Sequence, residues 1–152
     1  MRAGAIIYPI LSNFAGLTAL VSASKIFAIR AEQPTSAPYL VYREISSIPT
    51  NTNGPDAGAT TTDPRTSQRS ILDITTVSIS CFALNYVSVE NIAVQVRAAL
   101  DREWGSVTAP YNTTEYLDSA IYESCVDDFD EKYGDNGIFI KHLDFRLRIE
   151  RL

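Results

Sequence analysis

One histidine, His142, serves a chain of 152 residues. Multi-histidine zinc sites are therefore excluded by inventory. Lying mid-strand among charged neighbours, His142 reads as a surface or interface residue rather than as the base of a Ser-His-Asp or Cys-His set. The sequence also lacks a Gly-rich phosphate loop, a Cys-x-x-Cys pair and a Gly-x-Ser-x-Gly elbow, so phosphate-cradling, thiol-redox and hydrolase chemistry lose their usual signatures. Basic residues are outnumbered, 13 Lys and Arg against 18 Asp and Glu, for a net charge of -5. A protein that grips nucleic acid through phosphate neutralisation is not expected with that balance. No apolar run approaches the roughly 20 residues that a membrane-spanning helix needs. Pro9 and the absence of an Ala-x-Ala site speak against a signal peptide. The only cysteines, Cys81 and Cys125, sit in alternating apolar patterns and are expected as free core thiols in a reducing compartment. The one sequon, Asn112-Thr113-Thr114, is then silent.

What the chain does have is 45% hydrophobic residues, enough for one domain with a core, expected to span 1–152. Residues 3–21 carry apolar side chains at helical spacing, with a soft break at Ser12-Asn13 and Pro9 placed in the first turn of a helix. Lys25 to Arg30 is a short strand candidate. Pro38 to Ser46 is a stronger one, with Tyr39, Val41 and Ile45 on one face. From Pro49 to Ser70 no apolar side chain is larger than alanine. Such a segment reads as a long, mobile loop, because ordering it costs entropy that no burial repays. Val77, Ile79, Cys81 and Ala83 alternate with polar residues and close a hairpin around that loop.

After Tyr86 the period changes from two to 3.6. Val89, Ile92, Ala93, Val96, Ala99 and Leu100 then make one apolar stripe, with Ser88 as the expected N-cap and Glu90, Gln95, Arg97 and Asp101 opposite. A loop from Gly105 to Asn112 leads to a strand at Ala120 to Val126. In a final strand, Gly137 to Glu150, Phe139, Leu143, Phe145, Leu147 and Ile149 face one way. His142, Asp144, Arg146, Arg148 and Glu150 face the other. The expected fold class is α+β: a mainly antiparallel four-stranded sheet, helices packed on one face, and a long hairpin loop.

The acidic run Asp127 to Asp135 invites a calcium reading. It fails on spacing, since a loop starting at Asp128 would need a ligand at Lys132 and a glycine at Tyr133. A solvated hairpin tip is the plainer account. A weak cation site or a small carboxylate-based hydrolase on Asp127, Asp128, Asp130 and Glu131 stays as the alternative. The eight tyrosines are not interleaved with Lys and Arg, so packing is their expected use rather than base stacking.

Four segments in order carry a resemblance: Pro38-Tyr-Leu-Val-Tyr42; Val77 to Leu84 feeding Glu90-Asn-Ile-Ala-Val-Gln-Val-Arg-Ala-Ala-Leu-Asp101; Tyr122-Glu123; and Leu143-Asp-Phe-Arg-Leu147. Together, from about residue 6 to 150, they resemble the tail-completion family of tailed bacteriophages, the tail terminators and head-to-tail joining proteins. The loop at 49–70 is longer than that pattern, and Glu123 is followed by Ser-Cys-Val where acidic or polar residues often come sooner. The resemblance implies a structural virion protein, not an enzyme, with no catalytic residue, cofactor or metal. It would form a homo-oligomeric, hexameric ring at the tail-neck region, made in the host cytoplasm. Its partners would be the tail-tube protein and a head-connector or neck protein, with DNA passing through the lumen without specific binding and no membrane involved. Another neck or tail-tube component of the same virion remains a second reading. Candidate subunit or partner contacts are Asn53, Asp56, Asp63, Arg65 and Arg69 of the loop, and Asp144, Arg146 and Arg148 of the closing strand.

Overall fold

The structure, a computed structural model, describes residues 2–50, 72–108 and 114–150. The helical spacing at the start becomes α1 (Arg2–Asn13) and a single turn, α2 (Ala15–Thr18), so the break falls where Ser12-Asn13 marked it. Pro9 lies inside α1 rather than in its first turn. A 3-10 turn (Ala23–Lys25) leads into β1 (Ile26–Ala28), followed by β2 (Tyr39–Thr50) and β3 (Leu72–Ala83). Then come α3 (Tyr86–Leu100), β4 (Gly105–Thr108), β5 (Thr114–Asp130) and β6 (Ile138–Glu150).

The expected four-stranded, mainly antiparallel sheet is corrected to a six-stranded mixed sheet, a half-barrel in the order β1-β2-β3-β6-β5-β4. Two elements make the difference. β1 pairs parallel with β2, Ile26 opposite Leu40, which makes the sheet mixed. β4 forms from residues read as loop and pairs antiparallel with β5, Gly105 opposite Leu117. A four-residue strand has too few positions to display a period of two, and its pairing partner supplies what its own sequence does not. Two strands also outrun their expected limits, β2 through Pro49 to Thr50 and β5 over Thr114–Asp130.

The core lies between the helices and one face of the sheet. Val89, Ile92, Ala93, Val96, Ala99 and Leu100 of α3 are all buried, the stripe that the spacing defined. They join Ile6, Ile7 and Leu11 of α1, Val77, Ile79 and Cys81 of β3, and Leu143, Phe145, Leu147 and Ile149 of β6. Each fully buried Leu, Ile or Phe contributes about 1.5–3 kcal/mol relative to exposure. The N-cap is Asn85 rather than Ser88: its side chain accepts a hydrogen bond from the Ser88 amide at 2.8 Å. On β2 the core-facing residues are Leu40 and Tyr42. A bulge between Glu44 and Ser46 breaks the alternation, and Ile45 stays exposed. Tyr39 and Val41 do share a face, but it is the other one, where Tyr39 stacks on Phe82 at 4.5 Å and packs in a second small cluster with Ala31 and Ile138.

Candidate functional site

Among the described residues, the face of the sheet away from the helices carries a row of paired charges. Strict alternation along β6 sends Leu143, Phe145, Leu147 and Ile149 into the core and therefore sends Asp144, Arg146 and Arg148 to this open face. Each finds its partner on β5. Arg146 Nε lies 3.2 Å from Glu123 Oε1, and Arg148 Nε lies 3.4 Å from Asp118 Oδ2. The Ser124 hydroxyl donates to Asp144 Oδ2 at 3.1 Å. Register explains the first two pairs: β5 is irregular between Leu117 and Ser119 and again between Tyr122 and Ser124. Asp118 and Glu123 are the extra residues at those bulges, so each bulge aims an acid across the strand at an arginine. Both arginine side chains stay about half exposed, and water holds such pairs to about 0–1 kcal/mol each.

At the other end of this face His142 Nδ1 lies 2.8 Å from Ser80 Oγ, and Nε2 lies 3.8 Å from Asp128 Oδ2. Beside them a cavity of about 350 Å³ is lined by Arg30 and Arg43 together with Ser80, His142, Tyr39 and Phe82. Both arginines are exposed, and neither has an ion-pair partner among the described residues.

The acidic run does not gather into one site. Strand alternation puts Asp127 and Asp128 on opposite faces of the sheet. Asp127 Oδ1 takes Lys141 Nζ at 3.1 Å on the helix side, whereas Asp128 turns towards His142 and accepts its neighbour's amide, Phe129 N, at 2.8 Å. Asp130 accepts from Lys132 N at 3.0 Å and closes the turn. No group of three His, Cys, Asp or Glu side chains that could hold a metal ion occurs among the described residues. No described helix is long and apolar enough to cross a membrane.

Sequence reasoning missed Lys141. It occupies a core-facing register position on β6, is buried, and contacts both Glu90 of α3 and Asp127 of β5. Burial alone would depress its pKa, but the hydrogen bonds to the two carboxylates outweigh that and raise it. The Lys141 contact in turn holds the Glu90 carboxyl below its ordinary value, with a further contribution from the Tyr86 hydroxyl. The signal was present: a lysine stands on the apolar side of an otherwise strict alternation. Cys125 corrects another expectation, since it is exposed while Cys81 is buried. Burial pushes the thiol pKa of both upward. The loop candidates Asn53, Asp56, Asp63, Arg65 and Arg69 lie outside the described residues.

No family model and no curated protein matches the chain. Among solved structures, it is similar to a chain of the virion of a native gene transfer agent (GTA) particle. The two share 16% sequence identity at a TM-score of 0.61, over 98% of this chain and 97% of the other. The likeness runs end to end. At that identity it establishes a shared fold.

Proposed function

We propose that the chain is a structural virion protein of phage type that caps the tail tube and joins tail to head as a subunit of a ring. The observation that carries this reading is the end-to-end likeness to a virion chain, with neither chain leaving a domain unmatched. The ordered motifs that resemble the tail-completion family support the finer assignment to the tail-neck region. The open face gives such a subunit a surface to present: an array of both charge signs, already held in place by cross-strand pairs. In a closed ring of head-to-tail contacts, charges of this kind set register and angle more than affinity. Asp144, Arg146 and Arg148 are then subunit, tube or lumen contacts. A net charge of -5 suits a channel through which DNA slides without sticking.

The test is assembly without the chain. An uncapped tube has a free end that keeps adding subunits, so particles lacking this protein carry tails of uneven length and heads without tails. Supplying the protein restores uniform tails joined to heads. Normal particles in its absence overturn the reading. Localisation of the chain by electron microscopy to another ring of the neck or tube replaces it with that component.

A further inference from the structure

Among the described residues, the sheet ends in two edges that are each half covered. β1 covers β2 only as far as the Tyr42 carbonyl, which accepts from Ile29 N at 2.8 Å. Beyond that point no described strand lies on the outer side of β2 from Arg43 to Thr50. On the far side, β4 and the bonds between Ala120 and residues Arg102 and Glu103 cover β5 up to Ala120. From Ile121 to Asp130 no described strand covers it. Backbone donors and acceptors along such an edge are the groups that another strand satisfies. On β5 side chains already take two of the donors, Tyr122 N by Asp101 Oδ1 at 3.2 Å and Phe129 N by Asp128 Oδ1 at 2.8 Å, which leaves the stretch between them. Edges in soluble proteins are commonly blunted with lysine or covered. Here the open halves show Ile45 and Ile48 on β2, and Ile121 and Val126 on β5, all exposed.

We infer that the open half of β2 receives the open half of β5 from a second copy of this chain, with Arg30 and Arg43 taking the acidic end of that strand. This rests on the reading of the chain as a ring subunit and names the contact that builds the ring. Three antiparallel pairings separate β2 from β5. A neighbour that continues the sheet with the same face inward therefore brings its β5 antiparallel to β2, the stronger of the two ladders. In that direction, full overlap of the open halves sets Arg43 at the Asp128 and Asp130 end and Ile48 at the Ile121 end. The two arginines, which have no ion-pair partner among the described residues, then meet carboxylates. The contact is heterologous, so repetition closes a ring or extends a filament.

Native Cys125 lies in the open half of β5 and is exposed, while Cys81 is buried and inert. Full-length protein carrying Ser47→Cys, on the open half of β2 and opposite Cys125 in this register, is concentrated, oxidised and run without reductant. A ladder of covalent oligomers beyond the dimer is expected, and Cys125→Ala removes it. Arg30→Glu with Arg43→Glu lowers the yield at least several-fold, and adding Asp128→Arg and Asp130→Arg recovers it. Dimers alone, also given by the chain without the added cysteine, mean β5 pairs with β5 and overturn the inference. Rings seen by electron microscopy without the ladder overturn this contact and leave the ring. A chain that gives neither ladder nor ring overturns the contact as well, while tube capping, scored separately, still decides the virion role.

Discussion

Arg146 of β6 and Glu123 of β5 meet at 3.2 Å because a bulge, not regular register, aims the glutamate across the strand. Arg148 and Asp118 repeat the arrangement at 3.4 Å over the second bulge. Arg146 and Arg148 are thus paired within the subunit, which fixes their positions at little energetic gain.

Reversing both arginines, Arg146→Glu with Arg148→Glu, separates the two uses of this face. In the isolated chain like charges then oppose Glu123 and Asp118, and stability falls by about 1–2 kcal/mol in total, read as a lower Tm. Adding Glu123→Arg and Asp118→Arg restores the Tm. If this face makes an assembly contact, tube capping stays impaired in the fourfold variant despite the restored Tm. Full recovery of capping together with stability would falsify the contact.

The Lys141 cluster predicts an acid-sensitive term in stability. Glu90 has a lowered pKa, so its contribution is complete above the ordinary glutamate value of 4.5 and is lost as pH falls through the lowered folded value. Lys141 has a raised pKa, so its share is complete below the ordinary lysine value of 10.5 and is lost only as pH rises beyond that. Glu90→Gln flattens the acid limb of the pH-stability curve. Glu90→Gln with Asp127→Asn leaves Lys141 buried beside no carboxylate and costs about 3–5 kcal/mol. An unchanged acid limb in Glu90→Gln would show that the pair adds nothing to folding.

In α3, Val96 is fully buried, whereas Arg97 lies on the exposed side, 4.1 Å from the Tyr122 ring centroid. Val96→Asp places an unpaired charge in the core and costs at least about 3 kcal/mol. Arg97→Ala removes an exposed cation-π contact and an ion pair with Asp101, together about 1 kcal/mol or less. Chemical denaturation of both variants measures the contrast, and equal losses contradict the orientation of the helix.

The turn between β5 and β6 holds two glycines at positive φ, Gly134 at 60° and Gly137 at 74°. A Cβ on Gly134 meets nothing within 4 Å, whereas one on Gly137 falls 2.4 Å from Phe129 Cζ and 2.9 Å from the Asp130 carbonyl. Gly134→Ala therefore costs about 1 kcal/mol, the left-handed penalty alone. Gly137→Ala adds a clash against backbone and an aromatic ring, for about 2–4 kcal/mol. The order of the two melting losses checks this.

The sequence by itself determined the elements whose own period is long enough to speak: the buried stripe of α3, the alternation of β6, and with it the side of the sheet that shows Asp144, Arg146 and Arg148. Burial of one face follows directly from such a period, because no other face could remove those side chains from water. Tertiary structure alone decided the rest. β4 is too short to carry a pattern, so only its pairing with β5 makes it a strand, and although Lys25 to Arg30 reads as a strand candidate, only the parallel pairing of β1 with β2 makes the sheet mixed. The bulges that deliver Asp118 and Glu123 depend on register between strands, which local sequence does not encode. Lys141 on an apolar face is tolerable only because Glu90 and Asp127, 51 and 14 positions away (141 − 90 and 141 − 127), converge on it. The run Asp127 to Asp130 looked like one cluster in sequence, and pleating divided it between two faces.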